Sequence, residues 1–302
     1  MLDLSILTDP AVLSELIFQG LVRGAMYGLM GIGLSLIFGI LGIVNFAHGE
    51  LFMLGAYVMY YVAAALGLPF VVGVAAAGAA LFVAGVLIER GLVEPLRRRA
   101  GRDWLLDSFV LTIGLMVILQ NLALIMFGSE RRGVTTLIPG SLDFGEITVT
   151  YERLVILGLA IVVVALLAAY VKFTRTGKAI RATAQHPEAA QTLGIDINKI
   201  YTIAFGIGAA LAGMAGAMLI SIFPAFPTVG AQPVLKSFAV VILGGLGNIP
   251  GAIAAGFLLG IVEAYAFFFM SAGWQSVITP IIIVLVLIFR PQGLFTAQGE
   301  RP

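Results

Sequence analysis

The sequence predicts an all-α polytopic membrane protein: one transmembrane domain over residues 1–302, with about eight to ten transmembrane or half-membrane helices, some of them broken. Three observations predict it. First, the 302-residue chain is 60% hydrophobic and 11% charged, with a mean hydropathy of +1.08, whereas soluble domains carry roughly 25% charged residues. Second, between residues 11 and 88 only Glu15, Arg23 and Glu50 are charged, and one span needs only roughly 20 residues. Third, the apolar runs are divided by Gly, Pro and Asn breaks and by two basic stretches rather than by soluble-looking domains.

Taken in order, the elements fall as follows. The N-terminus, MLDLSILTDP, lacks the basic segment of a cleavable signal, so the first apolar run reads as a retained helix. The glycines at 28, 31 and 33, the Asn45–Gly49 break and Gly67-Leu68-Pro69 divide the first region into helices over 11–31, 33–44, 49–66 and 70–89. Further spans read over 107–127, 154–171, 200–223, 251–270 and 274–289, with a short apolar run at 235–246. Segment 128–151 reads as a loop, with turn signals at Pro139-Gly140 and Asp143-Phe144-Gly145.

Charge sets the orientation. The 90–102 loop holds five arginines, and 172–199 holds Lys172, Arg175, Lys178, Arg181 and Lys199 against Glu188 and Asp196. Such loops stay in the cytoplasm. The 128–153 segment, with three arginines against four acids, falls outside. The Gly/Asn breaks at 40–45 and 243–248 suggest a parallel repeat that would place both termini inside. A net charge of +1, with most cations clustered in those stretches rather than spread on a surface, gives no signal for nucleic acid; membrane lipid is the expected surrounding. Zero cysteines and two separated histidines, His48 and His186, exclude disulfides, thiolate sites and a metal cluster.

The longest polar interval, 172–199, predicts two short cytoplasmic helices meeting at Gln185-His186-Pro187. Pro187 suits a first helical position, Glu188 the first turn, and Gly194 a C-terminal cap. Ala189, Ala190 and Leu193 form a small apolar patch, more than a solvated loop needs, so the segment reads as a docking element. Thr176-Gly177-Lys178-Ala179 lacks the upstream Gly and the following Ser/Thr of a nucleotide-binding loop. No cofactor is therefore expected on this chain. Polar groups inside apolar runs are costly unless they face water or are buried in protein. Asn45, His48, Gly49 and Glu50 at the first break, Asn248 at a later one, and Glu263, alone between Ser237 and Phe289, are candidates for a translocation path. The structural alternative is that Asn45, His48 and Asn248 cap breaks, and that Glu50 begins a helix near the cytoplasmic edge. Gly24-x3-Gly28 and Gly256-x3-Gly260 allow close helix approach.

Glu188-Ala189-Ala190-x3-Gly194 resembles the coupling motif of ABC-importer permeases, without that motif's downstream Ile and Leu-Pro positions. Gly33–Gly39, Asn45-Phe46-Ala47-His48-Gly49, Met53–Tyr57, Thr174–Ala182 and Gly244–Asn248 resemble the LivH-type permeases of branched-chain amino acid importers, over nearly the whole chain. The resemblance implies a bacterial cytoplasmic (inner) membrane permease that is not itself an enzyme. Arg175, Gly177, Arg181, Pro187, Glu188, Ala189, Ala190 and Gly194 would then contact an ATPase. It further implies two ATPase subunits that carry ATP-Mg, a periplasmic substrate-binding protein, and a second, LivM-like permease or a second copy of this chain. The same resemblance extends to importers of urea and short-chain amides. A gradient-driven carrier or channel using Glu263, Glu50 or His48 is the competing reading.

Overall fold

The computed structural model describes residues 10–99, 101, 104–134, 138–144, 147–270 and 272–295. Residues 1–9, Arg102 and Gly145 lie outside that set. Helix α1 runs Pro10–Leu41 without interruption, where the sequence predicted a division near residue 32. Its glycines do not break it because they are contact points. Gly31 meets Val240, and Gly33 meets the Gly208 backbone, so missing side chains let neighbours close in while the helical hydrogen bonds persist. The helix stops at Gly42, whose φ of +70° and N–H bond to Phe38 O (2.8 Å) make a left-handed cap.

After that turn the chain re-enters the bundle and forms the short helix α2, His48–Tyr60, continued by a wide turn at Tyr61–Ala65. Helix α3, Phe70–Ile88, a second wide turn at Glu89–Val93 and α4, Glu94–Arg99, form one continuous rod. Helix α5 is Trp104–Phe127. The segment expected to be loop contains a hairpin, β1 Ser141–Phe144 paired antiparallel to β2 Ile147–Thr150. Helix α6, Tyr151–Phe173, leads to α7, Arg175–Gln185, and α8, Pro187–Thr192. Then come α9, Ile197–Leu219, α10, Ala231–Gly244, α11, Ile249–Met270, and α12, Ala272–Phe289. Among the described residues six helical segments are long and apolar enough to span a membrane, and α10 and Val277–Phe289 are shorter apolar ones.

The basic loops place α7, α8 and the Leu41 end of α1 on the cytoplasmic side. Helix α1 then runs toward the cytoplasm, and α9 runs away from it. Each is followed by a reversal and a half-length helix, α2 or α10, and then by a full span that packs along the opposite first helix: α11 on α1, α3 on α9. The two units are thus related by inversion, not by the parallel repeat expected, and α1 begins on the side opposite the C-terminal Arg290. The reason is that the 40–45 break precedes a half-helix while the 243–248 break follows one. The true counterpart of the first break is 220–230. The core follows this scheme. Gly20, Gly24 and Gly28 of α1 pack against Ile261, Phe257 and Gly256 of α11, which brings the two Gly-x3-Gly pairs face to face.

Candidate translocation path and coupling site

Four clusters of polar residues stand out; three hold residues nominated from sequence, and Asn248 lies outside them.

The cytoplasmic cluster is the α6–α7–α8 corner. Thr174 caps α7: its Oγ accepts from Gly177 N–H (2.9 Å) and donates to Tyr170 O (2.7 Å). A side chain on Gly177 would collide with the Tyr170 and Val171 carbonyls, so the corner requires glycine. Arg181 donates to the Val171 carbonyl. On its inner face α7 buries Gly177, Ile180 and Thr183, and Ile180 packs with Leu36, Ile40, Ile200 and Phe205 of α1 and α9. Pro187 opens α8, Gly194 closes it at φ +83°, and Asp196 caps α9 through Lys199 N–H (3.2 Å). The apolar patch expected on α8 is divided. Ala190 is buried against the bundle, whereas Ala189 is exposed and Leu193 is 81% exposed. Arg175, Glu188 and Gly194 also face outward.

The central cluster lies where α2 and α10 begin. Gly49 and Gly230 touch backbone to backbone, and a side chain on either would collide with the other's carbonyl oxygen. Two half-helix N-termini therefore meet here, each carrying a partial positive charge. His48 Nε2 lies 3.1 Å from Met30 O. Met30 is eleven residues, ~16 Å at 1.5 Å per residue, from the cytoplasmic end of α1. The break is therefore deep in the bundle, not near the cytoplasmic edge as sequence suggested, because residues 42–47 climb back alongside α1. Asn45 is fully buried, and neither side-chain polar atom has a partner among the described residues; the same holds for His48 Nδ1 and Glu50 Oε2. Glu50 Oε1 accepts from Gln120 Nε2 at 2.8 Å. Gln120 also lines a cavity of about 270 Å³ with Asn121, Ser129, Phe226 and Thr228, beside the segment where Arg132 pairs with Ala225. Gln120 thus links the outer cavity to buried Glu50, in the first turn of α2. Such a site offers a carboxylate oxygen to an ammonium and backbone N–H groups to a carboxylate.

The third cluster holds Glu263. It is fully buried and accepts from Lys236 Nζ (2.7 Å), Tyr27 Oη (2.8 Å) and Thr279 Oγ (2.7 Å). Lys236 also donates to Tyr27 Oη at 2.8 Å. The four residues join α10, α11, α1 and α12. Sequence reasoning missed Lys236, one residue before the interval in which Glu263 stood alone; a lone cation in an apolar helix was the available signal. A second such junction went unnoticed. Buried Glu89 accepts from Thr202 Oγ (2.6 Å) and pairs with Arg97 (3.2 Å), which also bonds Asn198 (3.0 Å) and lies 4.4 Å over the Tyr201 ring. Asn248 sits elsewhere: its side chain accepts from Gly251 N–H and donates to Phe295 O, capping α11 and tying down the C-terminal segment. Of the six path candidates, Asn45, His48, Gly49 and Glu50 share one site; Asn248 and Glu263 do not join it.

A family model described as the branched-chain amino acid transport system permease component matches residues 16–287. The chain belongs to this permease family. The matched range contains both half-helices, both buried carboxylate junctions and the whole α6–α8 corner. Relatives of the branched-chain permease run nearly full length. The high-affinity branched-chain amino acid transport system permease protein BraD of Pseudomonas aeruginosa is 34% identical, covering 91% of this chain and 93% of its own. The LivH protein of the same description from Escherichia coli is 31% identical, covering 92% and 93%. The ribose import permease RbsC of Haemophilus influenzae is 23% identical over 72% of this chain and 65% of its own. No solved structure gives a significant match.

Proposed function

We propose that this permease forms the translocation path of an ATP-driven importer for branched-chain amino acids in the bacterial cytoplasmic membrane. It works with two ATPase subunits that bind ATP-Mg, a periplasmic substrate-binding protein, and a second permease that is either LivM-like or another copy of this chain. The chain is a permease component and not an enzyme. One observation carries the coupling assignment: the α7–α8 unit is locked to the bundle on one side and bare on the other. Arg181, Thr174 and Ile180 fix it to α6, α1 and α9, while Glu188, Ala189, Leu193 and Gly194 project outward. A push on the bare side moves α7 as a rigid body, and α7 bears on α1 and α9, the two helices that lead into the half-helices. The path passes Gln120, Glu50 and the Gly49–Gly230 contact, whose polarity suits a zwitterion.

The test is co-purification with the ATPase subunits together with substrate-stimulated uptake. Glu188→Lys and Gly194→Arg are expected to lose both. Persistence of both activities in these variants would contradict the coupling assignment.

A further inference from the structure

Two cavities lie in line along α6, between it and α1 and α11. The lower, about 430 Å³, is walled by Leu36, Ile40, Leu167 and Ile249 and opens beside Lys172 and Arg181. The upper, about 230 Å³, is walled by Ile32, Val164 and Phe257. Ala25, Gly28, Ala160 and Ala165 add little side-chain volume to the upper wall, which leaves space beside the line where α6 packs on α1. Along α6 the pair extends from Ala160 to Lys172, ~18 Å at 1.5 Å per residue. One leaflet of the hydrocarbon core is about 15 Å deep, so the groove has the depth of a single acyl chain.

The mouth has the opposite chemistry. Lys172 and Arg181 are exposed there on the cytoplasmic side, and neither makes an ion pair among the described residues. Arg175 and Lys178 lie exposed on the same corner. Just inside, Ser35 Oγ is buried, lines the lower cavity and has no partner among the described residues. It is placed to donate to an ester carbonyl. A basic mouth over an apolar slot between helices at the cytoplasmic face is the chemistry that holds an anionic lipid headgroup.

We propose that the α1–α6–α11 groove binds an anionic phospholipid of the cytoplasmic leaflet, with one acyl chain in the slot and its phosphate at Lys172 and Arg181. The site is independent of the solute carried.

The test uses the full chain purified in mild detergent and then placed in nanodiscs of phosphatidylcholine with or without phosphatidylglycerol. Lipid retained after delipidation is measured by mass spectrometry, and the melting midpoint by scanning fluorimetry. Wild type is expected to retain phosphatidylglycerol about ten-fold over phosphatidylcholine and to gain several degrees from it. Lys172→Gln is expected to lose the preference and keep chain binding. Ala168→Phe, which fills the slot, is expected to lose retention of both lipids; its melting midpoint without added lipid reports that it folds. Equal retention of both lipids by wild type would overturn the proposal, as would retention unchanged in a folded Ala168→Phe variant. So would a disulfide formed between Cys substitutions at Ala165 and a second permease chain, which would place protein in the slot, or displacement of the lipid by glycerol phosphate alone, which would make the slot irrelevant.

Discussion

Gly230 and Lys236 sit six residues apart on the same segment and do opposite work. Gly230 has ordinary helical φ, so its need for glycine is steric: a methyl group would strike the Gly49 carbonyl. Overpacking of this kind costs about 1–3 kcal/mol, and Gly230→Ala is expected to lower the melting midpoint and reduce uptake, read by scanning fluorimetry and transport assay. Lys236 and Glu263 form a buried ion pair, and removing one partner strands the other charge at about 3–5 kcal/mol. Glu263→Leu or Lys236→Met alone should therefore destabilise strongly. Combined, they should recover much of the loss, because no charge is left behind; thermal melts of the three variants check this. Structural places were legible where they are local. Pro187, Glu188 and Gly194 lie within eight positions, and turn chemistry announces their places. Tyr27 and Glu263 are 236 positions apart, and no spacing rule relates them.

At the scale of elements, the corner from α6 to α8 and the half-helix α2 are expected to make separable contributions. Leu193 is exposed and supports no packing, so Leu193→Asp is expected to weaken ATPase capture about ten-fold while leaving the melting midpoint unchanged, measured by pull-down and scanning fluorimetry. Gln120→Leu removes the donor to Glu50 and a polar group of the outer cavity. It is expected to cut uptake severalfold with ATPase association intact. The converse result for either variant would reverse these assignments. The α7–α8 pair was readable because Pro187 and Gly194 bound a short periodic run. The continuity of α1 was not, because glycines that signal a break in water serve as helix contacts in a membrane bundle. The depth of the Asn45–Glu50 break was hidden for a related reason: a positive-inside count locates loops relative to the membrane, not a segment that turns back into it.

For the whole molecule, the inverted arrangement of α1–α3 and α9–α11 places the two half-helix N-termini against each other, with one buried carboxylate junction on the cytoplasmic side and the other at mid-depth. Glu89 ties α3 to α9 on the cytoplasmic side, and Glu263 ties α11 to α1 farther from it. Under the proposed coupling, a push through α7, which packs on both α1 and α9, would act on both units at once, as a path that alternates its opening requires. Composition alone announced a multi-span helical bundle, and the orientation rests on loop charge by the positive-inside rule. The sense of the repeat required knowing which helix packs on which. The most direct test of the central claim is uptake of radiolabelled leucine into proteoliposomes holding the permease pair, with ATPase subunits, ATP and binding protein added in turn. Uptake is expected only when all are present, and is expected to be lost in Leu193→Asp although the permease remains folded. Uptake by the permease alone, driven by an ion gradient and indifferent to ATP and to Leu193→Asp, would contradict it.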